Sequence, residues 1–161
     1  MGLRRRRAPA RLGEVPLPPQ TTTAVQDYLE QIHQLIEAKG YARAVDIAAH
    51  LGVSQASVSA MIQRMGAEGF VVYEKYRGLI LTDKGRAIAC HVIERHEILT
   101  RLLRGFGIDE ATIYQDVEGM EHHISSQTLE VLTLLTEELE TNPSLADKLR
   151  ARLARGKAAG A

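Results

Sequence analysis

The stretch from Ala44 to Thr82, AVDIAAHLGVSQASVSAMIQRMGAEGFVVYEKYRGLILT, decides the fold. Its first part predicts a short helix over Ala44–Leu51, a turn at Gly52-Val53, and a helix from Gln55 to Ala67 capped by Ser54. Ala48, Gly52 and Val58 have helix-turn-helix spacing. The small residue lets two helices cross closely, the glycine makes the turn, and the β-branched residue locks the second helix onto the first. Val58, Met61, Ile62 and Met65 would be the buried stripe of that second helix. Ser54, Gln55, Ser57, Ser59, Gln63 and Arg64 are left for its exposed side, and short polar side chains suit a helix lying in a major groove. Phe70–Glu74 and Leu79–Thr82 then read as two strands joined across Lys75-Tyr76-Arg77-Gly78. A hairpin directly after a helix-turn-helix is a wing, and Lys75 and Arg77 at its tip are placed to meet phosphates. The bland alternative is a helical hairpin followed by an ordinary polar surface turn.

Upstream, Thr23 and Gln26 fit a capping box with Thr23 as N-cap. Val25, Tyr28, Ile32, Leu35 and Ile36 recur at helical spacing, and Gly40 ends the helix. Asp27 and Glu30 stand near its start, where carboxylates also complement the helix dipole without any further role. Helix, helix, helix, hairpin is the winged-helix order. Residues 1–20 hold Arg4–Arg7 and four prolines with no apolar periodicity, the pattern of a disordered arm able to hold phosphates nonspecifically.

Downstream, Thr82 or Asp83 caps a long helix to Gly105 that carries Cys90, His91 and His96. Cys90 reads as a small packing residue. Asp109 begins a short helix leading into Glu118-Gly119-Met120-Glu121-His122-His123. On a helix, Glu118, Glu121 and His122 share one face, a candidate metal site if other elements complete the shell. Alone, the same pattern is also that of a solvated helix face. Ser126 caps a last helix, Gln127–Glu140, ended by Asn142-Pro143. The basic tail beyond is either a helical extension or a frayed end.

A chain of 161 residues makes one compact domain or two small ones. Twenty basic and twenty acidic residues balance, so any attraction to nucleic acid must come from local patches. No apolar run approaches the ~20 residues of a membrane span, and the Arg-rich start lacks the apolar core of a secretory signal. The cytoplasm is the expected compartment, and a single cysteine permits no internal disulfide.

Several segments together resemble the manganese transport regulators of the diphtheria-toxin-repressor superfamily. They are Asp27–Ile32, Gly40–Arg43, Tyr73–Leu79, Arg95-His96-Glu97 and Asp116–His123, in the same order over most of residues 22–140. The resemblance implies a mainly α fold: a winged helix-turn-helix over residues 21–83, then an all-helical dimerisation and metal-binding domain over 84–142. A basic tail (143–161) would follow, with no SH3-like third domain. It implies two Mn²⁺ per chain at a binuclear centre of Asp27, Glu30, His96, Glu118, Glu121 and His122. Glu30 and Glu121 would bridge. His96 and Asp27 would complete one site, and His122 with the Glu118 carbonyl the other. Iron-responsive relatives carry methionine and cysteine at the positions of Asp27 and Glu118, whereas the hard oxygen ligands here suit Mn²⁺. The implied function is a manganese-responsive regulator that represses uptake genes, a homodimer on palindromic operator DNA. The competing readings are an iron- or zinc-responsive regulator and a dinuclear metal hydrolase. The hydrolase lacks a general base beyond the ligands and leaves the winged helix unexplained.

Overall fold

The structure, a computed structural model, describes residues 21–76 and 78–159, with side chains to Gly156. The expected arm over residues 1–20 and the wing residue Arg77 lie outside the described residues. The elements are α1 (Thr23–Lys39), α2 (Ala44–Leu51), α3 (Gln55–Ala67), β1 (Val71–Glu74), β2 (Gly78–Leu81), α4 (Asp83–Gly105), α5 (Glu110–Met120), α6 (Ser126–Thr141) and α7 (Pro143–Ala159). The fold is mainly helical, a winged helix-turn-helix followed by a helical domain. Among the described residues no helix is long and apolar enough to cross a membrane.

The first core forms where the apolar stripe of α1 meets the helix-turn-helix and the wing. Val25, Leu29 and Ile32 of α1 are buried with Ile47, Ala48, Val58, Met65, Phe70, Val71 and Leu79. Met61 and Ile62, expected in the α3 stripe, pack at its margin, half-buried. Gly52 takes φ +65 in the turn between α2 and α3, a conformation that a Cβ makes costly, so a glycine is needed there. The wing is antiparallel, with Val71 opposite Leu81 and Glu74 opposite Gly78. Ala42 adds one bridge to Leu79, which ties the loop before α2 to the wing.

Thr82 caps α4 by accepting from the Gly85 N–H, and its hydroxyl donates to the carbonyls of Gly69 and Phe70. The start of α4 is thereby pressed against β1. A Cβ at Gly85 would fall 2.1 Å from the Phe70 carbonyl oxygen, so only glycine fits that approach. Ile88 and Ala89 belong to the first core, while Leu99, further along α4, joins Ile113 and Val117 in a second. One continuous helix is thus shared by both cores.

Several local expectations shift. Thr22, not Thr23, is the N-cap of α1, and Ser125, not Ser126, caps α6. In each case a neighbouring hydroxyl residue offered the same chemistry one position away. Helix α5 stops at Met120, although Glu121 keeps αR dihedrals (φ −59, ψ −33), so the i, i+3 relation of Glu118 to Glu121 survives. Cys90 is exposed, because α4 turns its Ile88–Ala89–Val92 side inward and Cys90 away from it. The basic tail continues as α7. The Asn142 side chain accepts from the Leu145 N–H at 3.3 Å, and Pro143 takes the first helical position.

Candidate metal centre

Three elements deliver six candidate ligands to one place. Asp27 and Glu30 flank the buried stripe of α1. His96 faces them from the middle of α4, which packs along α1, and Glu118, Glu121 and His122 come from the end of α5 and the turn after it. Glu121 sits at the centre. Only 1% of it is exposed, and its two oxygens face different imidazoles. Oε2 lies 2.8 Å from His96 Nδ1, and Oε1 lies 3.4 Å from His122 Nε2. That is the posture of a carboxylate able to bridge two positions. His122 Nε2 also meets Asp27 Oδ1 at 3.0 Å. Ligand atoms of His96, Glu118 and Glu121 all lie within 4.8 Å of one another.

The structure therefore groups Glu118 with His96 and Asp27 with His122, around Glu121. These are contacts between the side chains themselves; the assignment of Asp27 and His96 to one ion, implied by the family resemblance, concerns the metal-loaded centre. Asp27, Glu30, His96 and Glu118 line a cavity of about 470 Å³, whose other walls include Gln31, Gln34, His50 and Tyr114. Among the described residues, no lysine or arginine lines it.

The electrostatics show that this donor set wants positive charge. Burial pushes the Glu30 carboxyl up to about 7, helped by the nearby charges of Glu121 and Glu118. Burial likewise raises Glu121, opposed by its hydrogen bond with His96. His122 is raised by its hydrogen bond with Asp27. Four carboxylates and two imidazoles, with no lysine or arginine of the described residues on the cavity wall, fit a divalent metal. An oxygen-rich set of this kind suits a hard ion.

Sequence reasoning missed two neighbours of this set. The Gln34 amide donates to Glu30 Oε1 at 3.0 Å, and Gln26 reaches His122. Gln34 could have been found from its i+4 spacing to Glu30. The Gln26 contact spans 96 residues and has no local signal.

Outside this set, Ser54, Gln55, Ser57, Ser59, Gln63, Arg64 and Lys75 are all exposed on α3, at its cap or on the wing. Ser54 Oγ is occupied as the cap of α3, accepting from the Ser57 N–H at 3.1 Å. Ser59 donates to the Gln55 carbonyl, and Arg64 pairs with Glu68 at 2.8 Å. Ser59, Gln63 and Lys75 line a groove of about 700 Å³ between α3 and the wing, together with Tyr41, Arg43 and Tyr76. Arg43 stacks over the Tyr41 ring at 4.6 Å. This second cation of the groove was not among the residues singled out for DNA.

Two family profiles match the chain. One, described as the iron dependent repressor N-terminal DNA binding domain, covers residues 20–79. The other, the iron dependent repressor metal binding and dimerisation domain, covers residues 82–150. The HTH-type transcriptional regulator MntR of Lysinibacillus sphaericus is 46% identical over 130 residues, 81% of this chain and 94% of that protein. MntR of Bacillus subtilis is 45% identical over 130 residues, 81% of this chain and 92% of that protein. Among solved structures, the manganese regulator SloR aligns with a TM-score of 0.63 at 28% identity, over 70% of this chain. The metal-dependent transcriptional regulator MtsR aligns with a TM-score of 0.66 at 28% identity, over 73% of this chain. This chain spans about half the length of those two structures, 53% and 55%.

Proposed function

This chain belongs to the iron-dependent repressor family of metal-dependent, DNA-binding transcriptional regulators, and we propose that the metal it answers to is manganese. The observation that carries the reading is the convergence on Glu121, where α1 of the DNA-binding unit and α4 and α5 of the metal-binding unit present ligands to one another. In this reading Asp27, Glu30, His96, Glu118, Glu121 and His122 hold two Mn²⁺ per chain. Oxygen donors at Asp27 and Glu118 favour Mn²⁺ over the softer ions that a thioether or thiolate would attract. Mn²⁺ is the weakest binder of its series, so its selection rests on geometry and availability.

The bound cations would supply the positive charge that this carboxylate cluster lacks. Without that charge, Asp27 and Glu30 on α1 repel Glu118 and Glu121 at the end of α5. With the repulsion cancelled, the same side chains hold the winged helix at a fixed angle to the helical unit. Homodimerisation belongs to the family's second domain, and Val131, Leu134 and Leu135 on α6 expose apolar surface suited to it. A fixed head angle then sets the spacing of two recognition helices to successive major grooves of a palindromic operator. Gln55, Ser57, Ser59 and Gln63 would face base edges there. Ser54, Arg64, Lys75 and Arg77 would face phosphates. The output in this reading is repression of manganese-uptake genes in the cytoplasm when manganese is plentiful.

The test is linkage. Operator DNA, recovered by selection from random sequence, must tighten manganese binding by the factor by which manganese tightens DNA binding. Manganese affinity that ignores DNA would refute the mechanism. Stronger activation by Fe²⁺ or Zn²⁺ than by Mn²⁺, at equal free metal, would replace the proposed signal.

A further inference from the structure

The two nitrogens of His122 face different partners. Nε2 faces Asp27 and Glu121, at 3.0 and 3.4 Å. Nδ1 points the other way, to Oε1 of Gln26 at 2.7 Å. The His122 side chain is only 4% exposed, so these contacts fix it where water cannot substitute easily.

Gln26 is itself held. Its Nε2 donates to the Thr21 carbonyl at 3.3 Å and to Thr21 Oγ1 at 3.2 Å. The hydroxyl could act either way, but a carbonyl oxygen only accepts. The amide nitrogen must therefore face Thr21, which leaves the amide oxygen facing His122. An imidazole nitrogen opposite an amide oxygen must carry the hydrogen. A hydrogen is thus assigned to Nδ1, facing Gln26, while Nε2 is the nitrogen turned toward the metal centre, where without an ion it donates to Asp27. Turning the ring over would exchange nitrogens for carbons and lose the contacts on both sides.

We propose that Gln26 is a positioning residue of the metal centre, accepting from His122 Nδ1–H and so keeping Nε2 aimed between Asp27 and Glu121. The inference rests on the proposed function. Histidine ligands commonly donate their second N–H to an oxygen, and loss of that partner typically costs about 10–100-fold in metal affinity. The neutral amide suits this place, because it accepts the hydrogen bond without adding a fifth carboxylate to the four nearby. The contact also ties the first turn of α1 to the end of α5, so the DNA-binding unit supplies a support for the ligand set as well as two of its members.

Two readouts test this. In metal-stripped protein, ¹⁵N–¹H correlation should show a hydrogen on His122 Nδ1 that exchanges slowly with water. In Gln26→Ala that hydrogen should exchange faster. In EPR titrations with Mn²⁺, Gln26→Ala should weaken uptake of one ion of the pair about 10–100-fold. Thr22→Ala is the control, since it removes the cap of α1 without touching His122. It should leave both ions as they are. Wild-type exchange and affinity in Gln26→Ala would overturn the inference. So would an equal loss in Thr22→Ala, because the effect would then be fraying of the helix end. No manganese uptake by the unsubstituted chain would overturn the proposed function and this inference with it. Uptake that ignores Gln26 would overturn the inference alone.

Discussion

Replacing Glu30 by glutamine should stabilise the metal-stripped protein while weakening its hold on metal. The amide keeps the shape of the carboxyl and can still accept from Gln34, whose Nε2 lies 3.0 Å from Glu30 Oε1. It cannot ionise. Burial and the neighbouring carboxylates raise Glu30 from 4.5 to about 7 in the folded chain. The folded state therefore keeps this proton after the unfolded state has lost it. Its contribution to stability is full below about 4.5 and is lost as pH rises to about 7. Taken whole, the shift corresponds to about 3 kcal/mol. Partial exposure and solvent screening reduce that to about 1–2 kcal/mol. Burial of Glu121, and the hydrogen bond from His122 to Asp27, shift those groups upward too, so their stability also drains as pH rises. Urea unfolding in chelator at about pH 5 and about pH 8 measures the difference. Glu30→Gln should be more stable than the unsubstituted chain by about 1–2 kcal/mol at the higher pH, with the gap shrinking at the lower. In saturating Mn²⁺ the order should reverse, because a ligand at 100 times its Kd adds about 2.7 kcal/mol to the chain that binds it. Equal or lower stability of the variant in chelator at about pH 8 would refute the charge-repulsion argument.

Other substitutions probe other joints of the structure. Gly85→Ala puts a Cβ against the Phe70 carbonyl and should cost about 1–3 kcal/mol in a urea melt, with or without metal. Lys75→Ala at the wing tip should weaken operator binding and reduce the salt slope of log K by about 1, evenly across operator variants. An unchanged slope would remove Lys75 from the phosphate contacts. Asp27→Met replaces a hard donor by a soft one and should shift the preference of the centre from Mn²⁺ toward softer ions, read by competition between Mn²⁺ and Fe²⁺.

The winged helix was legible because each of its devices is local. Gly52 marks a turn, Val58 and Met65 lie on one side of α3, and the hairpin follows at once. Helix starts were legible to within a residue, since Thr22 and Thr23, or Ser125 and Ser126, carry the same hydroxyl. The resemblance named the ligand types and a pairing, while the contacts that the side chains make with one another depend on how α1, α4 and the end of α5 meet. Gln26 shows the limit most clearly. Its spacing to Thr23 suggests a capping box, yet its amide joins Thr21 to a histidine 96 residues away. Cys90 could not be oriented either, because one residue of helical rotation separates a core position from a surface one. The tail beyond Pro143 has weak apolar periodicity, and its helix is marked mainly by the cap that Asn142 provides.

The most direct test is the manganese stoichiometry of the metal-stripped chain, read by EPR beside a Glu118→Ala, His122→Ala double variant. The account expects about two tightly held ions per chain and their loss in the variant. Fewer than one ion, or equal binding by the two proteins, would mean that the cluster around Glu121 is not the metal centre of this regulator.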